Sequence, residues 1–104
     1  MTKTLTIPQR ENAAANQLRR EKPNLFKIFM HNDDYTTMDF VIGVLQSIFH
    51  KESGEAISLM LQIHQRGKAL CGLYPFEIAE TKVEKVHKQA REAGFPLRCT
   101  LEPE

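Results

Sequence analysis

Residues 25–49 read "LFKIFMHNDDYTTMDFVIGVLQSIF", and the hydrophobic period changes within this stretch. In "LFKIFMH" the apolar residues Phe26, Ile28 and Met30 alternate, the period-two signature of a strand with one buried face. From Met38 the repeat lengthens. Met38, Val41, Leu45 and Ile48 recur at helical spacing, and Ile42 and Phe49 widen the stripe. Thr36 is placed to cap that helix, with Asp39 three residues on in a capping-box arrangement. A strand therefore runs into a helix through "NDD" (residues 32–34), whose adjacent carboxylates repel each other where a turn needs only one.

Working outward, "KESGEAISLMLQIHQRG" (residues 51–67) repeats the device. Ser53 caps a second helix, Ile57, Met60, Leu61 and His64 form its inward stripe, and Gly67 ends it in the left-handed conformation. "KALCGLY" (residues 68–74) reads as a second strand. Pro75 starts a third helix, with Ala79, Val83, Val86 and Ala90 on one face and Gly94 closing it. "PLRCTL" (residues 96–101) points Leu97, Cys99 and Leu101 inward as a last strand. The order is β-α-α-β-α-β without internal repeat. Two consecutive helices between strands argue for an α+β fold, a small three-stranded antiparallel sheet with three helices packed on one face. Residues 1–23 lack hydrophobic periodicity and read as a flexible N-terminal extension, with residues 24–104 forming the core domain.

The chain has 104 residues, of which 41% are hydrophobic and 26% charged, an ordinary composition for one globular domain. A net charge of +1 supplies no bulk attraction to nucleic acid or anionic membrane. Residues 1–24 carry five Lys/Arg against two Asp/Glu, and residues 25–104 nine against eleven. Cys71 and Cys99 lack CxxC spacing and sit in strand-like runs, as buried thiols of a reducing compartment do. With no apolar run of transmembrane length and no signal-peptide core at the N-terminus, the expected location is cytoplasmic.

Two groups of residues carry possible chemistry, and each has two readings. His64, on a stripe of Ile and Met, is either a core histidine bonded to backbone or an acceptor turned toward the "NDD" loop. Asn32, Asp33 and Asp34 are either turn and helix-cap residues or acceptors converging on a cation. An ammonium group has three N–H donors and wants three acceptors. Met38, Val41, Met60 and Ile63 flank these polar groups, so an apolar wall beside an ammonium-seeking rim would hold a hydrophobic side chain attached to a free amine. The first residue of a polypeptide is such a ligand. Catalysis lacks a nucleophile beside Asp and His, although a small hydrolase or metal-dependent protein using Asp33, Asp34 and His64 is the alternative. His31, His50, His64 and His87 show no metal-ligand pairing. Lys82, Lys85, Lys88 and Arg91 are interspersed with Glu80, Glu84 and Glu92, which makes a solvated face rather than a nucleic-acid stripe. No metal and no cofactor is implied.

The segments "NDDYTTM", "IHQRGKALCG", "EIAETKV" and "PLRCTLE" resemble, in order and spacing, the signature segments of the ClpS family, adaptors of the Clp AAA+ protease. The resemblance spans roughly residues 24–102. It implies a non-enzymatic adaptor that binds proteins with N-terminal Leu, Phe, Tyr or Trp (N-end rule degrons). It also implies their delivery to the unfoldase ClpA, through its N-terminal domain, for degradation by ClpP. By the same resemblance Asn32, Asp34 and His64 match positions that contact the α-amino group, with Asp33 in support. Thr36, Met38, Val41, Met60, Ile63 and Leu97 match the side-chain pocket, Met38 being the gate against β-branched residues. Glu77 and Lys82 match the unfoldase-docking surface, and residues 1–23 the extension used in hand-off. Thr37 stands where the family usually has proline, and Ile63 where valine is frequent.

Overall fold

The structure, a computed structural model, describes residues 24–104; the extension expected over residues 1–23 lies outside the described residues. The elements are β1 (Leu25–His31), α1 (Met38–Ser47), α2 (Ser53–Arg66), β2 (Lys68–Pro75), α3 (Phe76–Ala93) and β3 (Arg98–Pro103). The three strands form one antiparallel sheet in the order β2-β1-β3, and the expected β-α-α-β-α-β architecture is the one observed.

The alternation read in β1 is physical. Ile28 and Met30 are wholly buried under the helices, whereas Lys27, Phe29 and His31 turn to the other face. β1 is central because it alone pairs on both edges. On one side Phe29 lies opposite Leu70 and Ile28 opposite Gly72, so Cys71 is an extra residue in β2 and the ladder bulges there. Gly72 sits beneath the Tyr74 ring, where an added Cβ would come within 2.6 Å of a ring carbon. Only glycine fits without moving that ring.

Helices reach the sheet closely because small residues face it. Ala56 of α2 and Ala79 and Ala90 of α3 are buried with Val44, Leu45, Val86 and Leu97 around Ile28 and Met30. Each large apolar side chain so buried contributes about 1.5–3 kcal/mol. Gly67 and Gly94 end α2 and α3 in the left-handed conformation. Between α1 and α3, the Lys82 ammonium donates to the Ile48 carbonyl at 2.7 Å, where the last carbonyls of α1 lack helical partners. It also lies 5.0 Å from the Tyr74 ring centroid.

Three sequence expectations need correction. The α1 cap is Thr37, whose Oγ1 accepts from the Phe40 N–H at 3.2 Å; Thr36 is committed elsewhere, as described below. The residue before α2 is Glu52, which makes no side-chain cap, and Ser53 is already helical. Most consequentially, α2 is rotated relative to the expected stripe. Ala56, Met60 and Ile63 are buried, while Ile57 and Leu61 are each 42% exposed and His64 is exposed. Both stripes contain Met60, and a hydrophobicity pattern favours the one richer in large residues. Packing favours the one whose alanine permits close approach.

Candidate functional site

The site begins where β1 stops. The Asn32 N–H donates to the Gly67 carbonyl at 2.8 Å, fastening the start of the loop to the C-terminal cap of α2. Asp33 then folds the loop around its own carboxylate. Oδ1 accepts from the Tyr35 N–H at 2.8 Å and the Thr36 N–H at 2.7 Å, and Oδ2 accepts from the Thr36 hydroxyl at 2.7 Å. Burial alone would raise the Asp33 pKa, but these bonds to Thr36 and Tyr35 outweigh it and hold the carboxyl below its ordinary value. Thr37 next caps α1, and the chain enters the helix.

This arrangement separates the two adjacent carboxylates by task. Asp33 is consumed by the turn. Asn32 and Asp34 stay exposed, and neither side chain finds a hydrogen-bond or ion-pair partner among the described residues. A cavity of about 240 Å³ opens beside them, lined by Asn32, Asp33, Asp34, Thr36, Met38, Val41, Met60, Ile63 and His64. That is below the roughly 300–1,000 Å³ of drug-sized sites and suits one amino-acid side chain with its amine. Val41, Met60 and Ile63 are buried and make an apolar floor, whereas Met38 is 49% exposed at the edge. Asn32, Asp34 and His64 are exposed, an acceptor-rich rim above that floor.

Of the residues singled out in the sequence for this pocket, Leu97 is not among those lining it. Leu97 is 4% exposed and packs in the core just before β3. His64 reaches the cavity from the exposed side of α2, not from the buried stripe where sequence spacing put it. Glu77 and Lys82 lie on α3, which contributes nothing to the cavity. Lys82 instead borders a wider recess of about 420 Å³ with Ser47, Ile48, His50, Lys85, Lys88, Gln89 and Glu92. That recess is largely polar and has no comparable apolar floor.

The structural duty of Asp33 and the anchoring by Gly67 were not legible in the sequence. The available signal was Asp-x-x-Thr, a spacing at which a carboxylate reaches the backbone N–H groups two and three residues ahead. Among the described residues no group of three or more His, Cys, Asp or Glu could hold a metal ion. The thiols are buried and poorly suited to nucleophilic work: burial pushes Cys71 up to about 12 and raises Cys99 as well.

A family model described as "ATP-dependent Clp protease adaptor protein ClpS" matches residues 21–100. The chain belongs to the ClpS family. A ClpS of Desulfatibacillum aliphaticivorans is 54% identical over 86 residues, covering 83% of each chain. A ClpS of Shewanella piezotolerans is 46% identical over 102 residues, 98% of each. Among solved structures, Agrobacterium tumefaciens ClpS2 bound to L-phenylalaninamide aligns with a TM-score of 0.77 at 38% identity, over 80% of this chain and all of that one. ClpS proteins are adaptors of the ATP-dependent Clp protease, and none of the described helices here is long and apolar enough to cross a membrane.

Proposed function

We propose that this ClpS-family chain recognises proteins by a free N-terminal Leu, Phe, Tyr or Trp and delivers them to the unfoldase ClpA for degradation by ClpP. The observation that carries the reading is the juxtaposition, in one cavity of about 240 Å³, of the acceptors Asn32, Asp34 and His64 with the buried floor of Val41, Met60 and Ile63. An α-ammonium offers three donors, and the rim supplies three acceptors: the Asn32 side-chain carbonyl, the Asp34 carboxylate and a neutral imidazole nitrogen of His64. The first side chain enters the apolar floor, where filling is worth roughly 1.5–3 kcal/mol. Met38 stands at the mouth as the gate, and Asp33 supports by holding the turn. L-phenylalaninamide, carried by the Agrobacterium relative, has the free amine and amide of a peptide's first residue. In this reading Glu77 and Lys82 on α3 meet the N-terminal domain of ClpA, on a surface separate from the cavity, and residues 1–23 serve hand-off.

The test is fluorescence binding of peptides that differ only at the first residue, each with a free or an acetylated amine. Acetylation removes the charge and leaves the rim acceptors unpaired, at about 1.5–3 kcal/mol for each charge-assisted bond lost. Peptides with free N-terminal Leu, Phe, Tyr or Trp should bind, and their acetylated forms should show no measurable binding. Equal affinity for free and acetylated peptides would refute the reading, and cleavage of the peptide would point to the hydrolase alternative.

A further inference from the structure

The helices cover one face of the sheet, and the other face has an unusual composition. Strand register arranges its side chains in three rows across β2, β1 and β3: Leu73–Lys27–Glu102, Leu70–Phe29–Thr100 and Lys68–His31–Arg98. An open antiparallel face is normally polar. Here Leu70 and Leu73 are each 40% exposed, and Phe29 between the strands is half-buried. Around this apolar strip stand three cations, Lys27, Lys68 and Arg98, against two carboxylates, Glu102 and, at the end of the ladder where its N–H donates to the Leu25 carbonyl, Glu104. Lys68 extends diagonally over the strip, its Nζ 4.5 Å from the Phe29 ring centroid and 3.8 Å from the Glu102 carboxylate. About half of each side chain in that ion pair is exposed, so the pair itself contributes little and its lysine is free to exchange carboxylates. His31 registers the same field: burial, then the charges of Arg98 and Lys68, hold it below its ordinary value, with Glu102 opposing.

We propose that this open sheet face is a docking surface for an acidic, amphipathic segment of a partner protein, one whose apolar side chains seat on Phe29, Leu70 and Leu73 and whose carboxylates meet Lys27, Lys68 and Arg98. Charge decides the occupant. A second copy packed sheet to sheet would bring the same net positive charge to the interface from both sides. The chain's residues 1–23 carry five Lys/Arg against two Glu and have the wrong sign. A purely polyanionic ligand such as nucleic acid would leave the apolar strip unused. The surface lies on the side of the sheet opposite the helices, whereas the cavity of Asn32, Asp34 and His64 is built from the loop after β1 and from α1 and α2.

The test is an NMR titration of the ¹⁵N-labelled full chain with a peptide alternating Leu and Glu, and with its Leu/Lys counterpart. Both peptides are acetylated so that neither offers a free amine to the cavity. The acidic peptide should shift the amides of β1, β2 and β3 and the His31 ring, with binding weakened by salt. The basic one should not. Lys68→Glu with Arg98→Glu should weaken the acidic peptide at least about tenfold, as charge complementarity requires, and Leu70→Ser with Leu73→Ser should also weaken it. Binding of a free N-terminal Leu peptide should stay unchanged. If a variant proves unstable, the contrast between the two peptides on the unmodified chain still decides. The proposal is overturned by no shifts, by shifts mapping to the cavity or α3, or by equal response to both peptides. Tighter binding of phosphatidylserine vesicles or duplex DNA to the same residues would overturn the choice of a protein partner.

Discussion

Replacing Asp33 by alanine should loosen the turn that presents the cavity rim while leaving the sheet and helices folded. Three donors lose their acceptor together: the N–H groups of Tyr35 and Thr36 and the Thr36 hydroxyl. Fully desolvated bonds to a charged group are worth about 1.5–3 kcal/mol each, but Tyr35 is 77% exposed and water replaces much of what is lost. Comparison with helix-capping Asp→Ala changes, about 0.5–2 kcal/mol, sets the expected cost at about 1–2 kcal/mol. Asp34→Ala, whose side chain has no partner among the described residues, should stay within about 0.5 kcal/mol of the unmodified protein yet abolish amine recognition. Urea denaturation measures the first effect, and peptide binding the second. The acid dependence has a definite sign. The folded pKa of Asp33 lies below the ordinary 3.8, so its stabilisation is complete above that value and is lost as pH falls through the folded one. The stability gap between the unmodified chain and Asp33→Asn should therefore be constant near neutrality and shrink below about pH 4. If Asp34→Ala is the destabilised variant, or Asp33→Ala unfolds at the unmodified midpoint, the division of labour within "NDD" is wrong.

Gly67→Ala meets no clash, since nothing lies within 4 Å of the added Cβ, but it forces alanine to φ +92°. It should cost about 1–2 kcal/mol of stability by thermal unfolding, and an unchanged midpoint would refute the strain. Met38→Ala should admit N-terminal Ile or Val to the cavity with only modest loss for Leu; continued rejection of Ile with lowered stability would make Met38 a packing residue instead. Cys71 and Cys99 should resist alkylation at neutral pH until the chain unfolds, because burial disfavours both thiolates. Rapid labelling of the native protein would contradict that.

Local physics made much of this protein readable from its sequence. The alternation of Phe26, Ile28 and Met30 fixes the buried face of β1 whatever packs on it, and Gly67 and Gly94 mark helix ends because few other residues tolerate a positive φ. Family segments carried the candidate site: all nine residues that line the cavity are named from the sequence, Asn32 and His64 among them. What sequence could not supply was rotation, division of labour and the open face. The roll of α2 depended on Ala56 approaching its neighbours closely, a property of packed volume rather than hydrophobic period, and it moved His64 to the exposed side. Which of two adjacent aspartates holds the turn depended on the reach of one carboxylate to three donors. The apolar strip on the far side of the sheet depended on a single extra residue in β2, which sets Leu70 and Leu73 on the same outward face although an odd spacing in a regular strand would set them on opposite faces.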